Sequence, residues 1–139
     1  MTEKTAVYSS LWAYRGTHVG PASVRLAEDF SRPPGQEYRV TVSIDGVAHQ
    51  GSGADAFAAL GEARASFEPQ GWLLGIKGCS PYFRMSGMLR DMGGGKFMYD
   101  MSSHDAAGRP TTVSTFSAAP LEELATIESQ LAHWRSAQD

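Results

Sequence analysis

Along residues 38–44 apolar and polar side chains alternate, with Tyr38, Val40, Val42 and Ile44 on one side and Arg39, Thr41 and Ser43 on the other. A period of two is that of a half-buried β-strand. Asp45-Gly46 comes next, the dipeptide suited to the positive φ values of a type I′ turn, so the chain is expected to return as a second strand through Gly51. That hairpin would set Val47 opposite Ile44 and His49 opposite Val42, with His49 on the apolar face. Earlier, residues 6–14 (AVYSSLWAY) are rich in β-formers and predict a strand. Its two sides would be Val7, Ser9 and Leu11 against Tyr8, Ser10, Trp12 and Tyr14. Val24 to Phe30 predicts another. Residues 31–35 (SRPPG) then interrupt regular structure, because proline lacks a backbone donor and fixes φ. This break divides an N-terminal β-rich arm, residues 1–36, from an α+β core, residues 37–139, within one compact domain overall.

Beyond the hairpin the period becomes helical. Ser52 with Asp55 three residues later resembles a capping box. Phe57, Leu60, Arg64 and Phe67 share one face, on which the Arg64 stem would cover the edge. Pro69 and Gly71 end this helix. Trp72 to Lys77 (WLLGIK) predicts a strand buried on both faces. Residues 80–96 read as irregular, with at most one helical turn aligning Met85, Met88 and Met92 and with Gly93 just past its end. Phe97–Met101 and Thr111–Phe116 predict two more strands around a 104–110 loop. Leu121, Leu124, Ile127, Leu131 and Trp134 mark an amphipathic C-terminal helix that begins near Pro120, with Glu122 and Glu123 in its first turn. Tight turns between strands and helices kept to one side give an α+β class: a mainly antiparallel sheet with one central helix and a C-terminal helix packed on one side.

Composition narrows the function. The 139 residues are 42% hydrophobic with a formal net charge of -3, enough apolar side chains for one core and too little charge for a disordered chain. The basic excess of a nucleic-acid binder is missing from the chain as a whole. Cys79 is the only cysteine, which excludes an intrachain disulfide framework and a cysteine-based zinc site. His18, His49, His104 and His133 are dispersed without ligand spacing, so neither metal nor cofactor is expected. The opening MTEKTAVYSS lacks the apolar stretch of a secretory signal, and no run approaches the roughly eighteen apolar residues that would span a membrane. A cytoplasmic protein without a membrane partner is expected. No catalytic residue can be nominated: Cys79 and His49 lack a third, orienting group, and Glu122, Glu123 and Glu128 lie on a polar helix face. The chain therefore reads as a non-enzyme.

One stretch stands apart. Residues 72–96 contain Lys77, Arg84, Arg90 and Lys96 against a single acid, Asp91, together with Tyr82, Phe83 and three of the six methionines. Positive charge, aromatic faces and adaptable thioethers suit a binding surface. Gly93-Gly94-Gly95-Lys96 invites comparison with a phosphate loop, which requires Gly, four residues, then Gly-Lys-Ser/Thr. Arg90 occupies the first glycine position and Phe97 replaces the hydroxyl residue, so a nucleotide-hydrolysing loop is rejected. A looser anion site made by Arg90, Gly93, Gly94, Gly95 and Lys96 is the alternative, with an anionic small molecule or nucleotide as ligand.

The run from Asp55 through Tyr99, particularly EPQGW (68–72) and SGMLRDMGGGKFMY (86–99), resembles a recurrent group of small bacterial proteins similar to the standalone immunity proteins that accompany polymorphic or contact-delivered toxins. The resemblance covers about a third of the chain. It implies a small protein that binds and neutralises a cognate toxin domain without catalysis. The partner-binding residues expected on that reading are Trp12 and Tyr14 from the arm, and Tyr82, Arg84, Arg90, Asp91 and Lys96 from the basic stretch.

Overall fold

A computed structural model describes residues 3–136; the outer ends of the expected arm and core, residues 1–2 and 137–139, lie outside them. The alternation in residues 38–44 becomes strand β3 (Tyr38–Ile44), which pairs antiparallel with β4 (Val47–Gly53) in the expected register, Ile44 opposite Val47 and Val42 opposite His49. Asp45 and Gly46 take φ values of 51° and 80°, as a type I′ turn demands. The inner face of β3 carries the apolar set, with Val40 and Val42 fully buried.

Residues 4–28 form a longer hairpin, β1 (Lys4–Arg15) with β2 (His18–Glu28), and β2 pairs along its length with β3. The five-stranded sheet runs β4-β3-β2-β1-β5, where β5 is only Leu73–Leu74. The boundary expected at residue 36 is thus a strand connection within one sheet. Leu11, Ala13, Ala22, Val24 and Leu26 from the presumed arm belong to the main core. The two prolines fall between two paired strands, at a turn where their missing donors interrupt no ladder.

The expected alternation in β1 also fails at one place. A bulge between Tyr8 and Leu11, with Ser10 at φ 59°, brings both side chains to the inner face, where Tyr8 stacks on Phe116 at 5.0 Å. Trp12 points outward while Tyr8, expected on the same side, points inward.

Helix α1 (Ala56–Phe67) lies across the inner face of β3 and β4. Its cap is Asp55, whose carboxylate accepts from the Ala58 amide at 2.8 Å; Ser52 remains in β4 and does not cap. Close approach is possible because β4 carries glycines where α1 presents alanines. A Cβ on Gly51 would stand 2.2 Å from the Ala59 carbonyl oxygen, and one on Gly53 would stand 2.8 Å from the Ala58 Cβ.

After α1 the chain departs furthest from expectation. Only two residues of WLLGIK form a strand, and a 3₁₀ turn over Lys77–Cys79 follows. A second sheet, β6-β7-β8, comprises Phe83–Arg84, Phe97–His104 and Pro110–Ser114. Between its first two strands Gly87–Gly93 forms α2, capped by the Ser86 hydroxyl and closed by Gly94 at φ 65° in place of the expected Gly93. Phe57, Phe83, Met85 and Met98 make a second small core, joined by Trp134 from α3 (Ile127–Ser136). The C-terminal helix therefore begins seven residues later than Pro120 suggested; Leu121–Glu123 is a 3₁₀ turn followed by extended chain. The overall class, α+β with antiparallel sheets and helices against one side, is as expected.

Candidate partner-binding surfaces

The glycine-rich loop is closed on itself and on α1. Gly94 and Gly95 amides both donate to the Leu89 carbonyl, and the Lys96 amide donates to the Gly93 carbonyl at 3.2 Å. The Gly94 carbonyl in turn accepts from the Ala56 amide at 2.7 Å, at the start of α1. Arg90 Nε donates to Asp55 Oδ2 at 2.9 Å, and Lys96 Nζ reaches Glu28 Oε2 at 3.1 Å. Of the donors expected to form an anion site, the Gly94, Gly95 and Lys96 amides and the Arg90 and Lys96 side chains thus have partners within the chain. The glycines answer a different need: a Cβ on Gly95 would stand 2.7 Å from the Phe57 amide nitrogen, and one on Gly94 equally near the Tyr38 hydroxyl. They allow the loop to seat against the N-terminus of α1, whose positive end is met by the Asp55 carboxylate and the Gly94 carbonyl. Asp91 points to solvent on α2, and the methionine alignment splits, with Met85 buried while Met88 and Met92 are exposed.

Trp12 and Tyr14 lie elsewhere, on the face of the five-stranded sheet opposite α1. The outward positions of its strands carry Trp12, Tyr14, Val19, Arg25, Arg39 and Gln50, all exposed or half-buried. Trp12 and Val19 each keep 50% of their surface. Aromatic and apolar groups gather toward the β1–β2 turn. Arg25 and Arg39 stand toward the opposite end, with Glu3 3.8 Å from Arg25. An antiparallel sheet often leaves one face to water, but a half-exposed tryptophan there is an uncommon cost and a usual binding anchor.

Tyr82 and Arg84 lie at a third place, on the small sheet. A cleft of about 670 Å³ opens between Tyr82, Phe83, Met101, His133 and Trp134, and a second of about 490 Å³ adjoins it through Arg84 and Met101. Trp134 is fixed there by its indole N–H, which donates to the Pro81 carbonyl at 3.1 Å, while Arg84 donates to the Trp134 carbonyl at 3.2 Å. The residues expected to form one partner surface are therefore distributed: two on the open sheet face, two in this cleft, and Arg90, Asp91 and Lys96 around the closed loop. His133, Trp134 and Met101 could not have been chosen from sequence, because the fold brings Met101 to Tyr82 across nineteen residues and His133 and Trp134 across about fifty.

Cys79 and His49, weighed as a nucleophile and its base, are separated by their partners. Cys79 is wholly buried, and desolvation pushes its thiol up from 9.0 to about 11, which leaves it protonated and inert. His49 Nδ1 shares a 2.8 Å hydrogen bond with the Ser66 hydroxyl on α1 and stacks edge-on against Phe67. No carboxylate hydrogen-bonds this pair among the described residues, and Ser66 is an ordinary mid-helix serine.

The raised thiol has a stability consequence. A group that holds its proton more tightly when folded contributes stability that is complete below its unfolded pKa and declines as pH rises through the folded value. Stability is expected to fall as pH climbs from about 9 toward 11. Burial, with Glu28 and Asp55 adding to it, also raises the Tyr38 phenol, so its loss runs in the same direction. Urea unfolding of the Tyr38→Phe protein with and without Cys79→Ala isolates the thiol: only the cysteine-containing form should show this decline. Comparison of the chain with protein-family models and with curated proteins finds no match.

Proposed function

We propose that this chain is an immunity protein, a non-enzymatic inhibitor that binds a cognate bacterial toxin domain in the cytoplasm and occludes its active site. The observation that carries this reading is the uncovered outer face of the five-stranded sheet, with Trp12 half-exposed beside Tyr14 and Val19. Strands paired in a sheet hold those side chains with less freedom left to lose on binding than a loop would, and tryptophan, tyrosine and arginine are the residues that concentrate binding energy. The sequence of residues 55–99, which resembles a group of small bacterial proteins of the immunity type, motivates the same reading from another part of the chain.

Co-expression tests it. A toxin domain encoded beside this chain should stop growth alone and permit growth with the wild-type protein. Trp12→Arg places a charge in the centre of the apolar patch and should abolish protection at equal protein levels. Growth arrest that the wild-type protein leaves unchanged would contradict the proposal.

A further inference from the structure

The paired clefts on the small sheet meet at an arginine drawn partly out of water. Among the described residues, Arg25, Arg32, Arg64, Arg90 and Arg109 each meet a carboxylate within ion-pair distance; Arg15, Arg39, Arg84 and Arg135 meet none, and of these four only Arg84 is half-buried. Its recorded partner is a neutral carbonyl, that of Trp134, which occupies one of five guanidinium donors. Arg84 is half-buried, and it stands where the two clefts join.

Two of the acids nearby are engaged. Asp105 faces Arg109 at 3.3 Å and accepts from the Ala107 and Arg109 amides. Asp100 accepts from the Ser102 hydroxyl and amide, which hold its carboxyl below the usual range. Glu123 also lines the larger cleft and does not pair with Arg84. A guanidinium drawn partly out of water gains most from a carboxylate that offers it two oxygens. Beside it the walls are apolar and open: Tyr82 keeps 56% of its surface and Met101 49%. The larger cleft, at about 670 Å³, falls within the range of sites that enclose a large organic group.

We infer that these clefts form a peptide-binding site for an acidic–aromatic segment of a partner protein, with its carboxylate on Arg84 and its neighbouring aromatic side chain against Tyr82, Met101 and Trp134. The site stands on its own geometry and does not depend on the outer sheet face or on a toxin as the partner.

The probe is the blocked peptide acetyl-Gly-Phe-Asp-Gly-amide, compared with the same peptide carrying Asn for Asp or Ala for Phe. Methyl-labelled methionine and indole N–H signals are followed by NMR as each peptide is added to the whole protein. The expected result is saturable movement of the Met85, Met101 and Trp134 signals, with Trp12 unmoved. Affinity should fall at least about tenfold for the Asn and Ala peptides, and equally for Arg84→Gln with the parent peptide. Arg84→Lys, which keeps the charge but not the planar fork, should recover part of it. An equal response to the Asp and Asn peptides, or movement outside the clefts only, overturns the assignment. Dimerisation that appears without peptide and disappears in Arg84→Gln would assign the clefts to a second copy instead, and likewise overturns it.

Discussion

Replacing Arg64 with Met is expected to cost about 3–5 kcal/mol, the loss typical of breaking a buried ion pair by removing one partner. Arg64 is completely buried on α1, where it ties residues 125–130 to the helix. Its Nε meets Glu68 at 2.5 Å, its remaining nitrogens reach the Gln130 side chain and the Gly78 and Ala125 carbonyls, and Glu68 itself accepts from the Ile127 amide at 2.8 Å. Gln130, equally buried, completes the web by donating to the Gly78 and Ser80 carbonyls. With the guanidinium gone, the Glu68 carboxylate, the Gln130 side-chain oxygen and the Ala125 carbonyl each lose their charged donor. Thermal unfolding should show the midpoint falling by roughly 10–20 °C for a chain of this size. Adding Glu68→Leu to Arg64→Met should recover part of the loss, because it removes the stranded charge. A single variant within 1 °C of wild type would show that the web contributes nothing.

A second large effect is expected at Gly51. A methyl group there would overlap the Ala59 carbonyl oxygen and stand 2.4 Å from the Ala63 amide nitrogen, so backbone rather than a movable side chain blocks it. Helix α1 must lift from β4, opening the core around Leu60 and Phe67. Overpacking of this kind costs about 1–3 kcal/mol or more, and Gly51→Ala belongs at the upper end because neither side can rotate away. Gly87→Ala is the control, since nothing lies within 4 Å of that position. It should leave the urea midpoint unchanged or slightly raised, while Gly51→Ala lowers it sharply. Equal midpoints for the two would refute the close-approach argument.

These two positions also show what could and could not be read from the chain. The β3–β4 hairpin was legible because alternation and an Asp-Gly turn are local signals that agree. Arg64 was legible only as a helix residue: its place on the apolar face suggested a stem at the edge, whereas it is wholly buried because Glu68 and Gln130 answer it. Gln130 misled in the opposite sense. Apolar spacing pointed to Leu131, yet Leu131 keeps 37% of its surface and Gln130 keeps none. Pairing across sixty-six positions leaves no trace in local periodicity. The triple glycine resembled an anion cradle because the need for a small residue is the same whether the close neighbour is a phosphate or another helix. Here the neighbour is α1. Of the expected partner surface, alternation set Trp12 and Tyr8 on one side without saying which side faces out, and the bulge at Ser10 that separates them has no sequence signature beyond the serines themselves.

The central claim is that the open sheet face binds a protein partner through Trp12. Isothermal titration of the purified toxin domain into wild-type protein and into Trp12→Ala tests it most directly. Loss of a central aromatic anchor should cost about 2 kcal/mol, a Kd weakened about thirtyfold, with the unfolding midpoint unchanged. A Kd within twofold of wild type in Trp12→Ala, for a partner that binds the wild-type protein tightly, would contradict it.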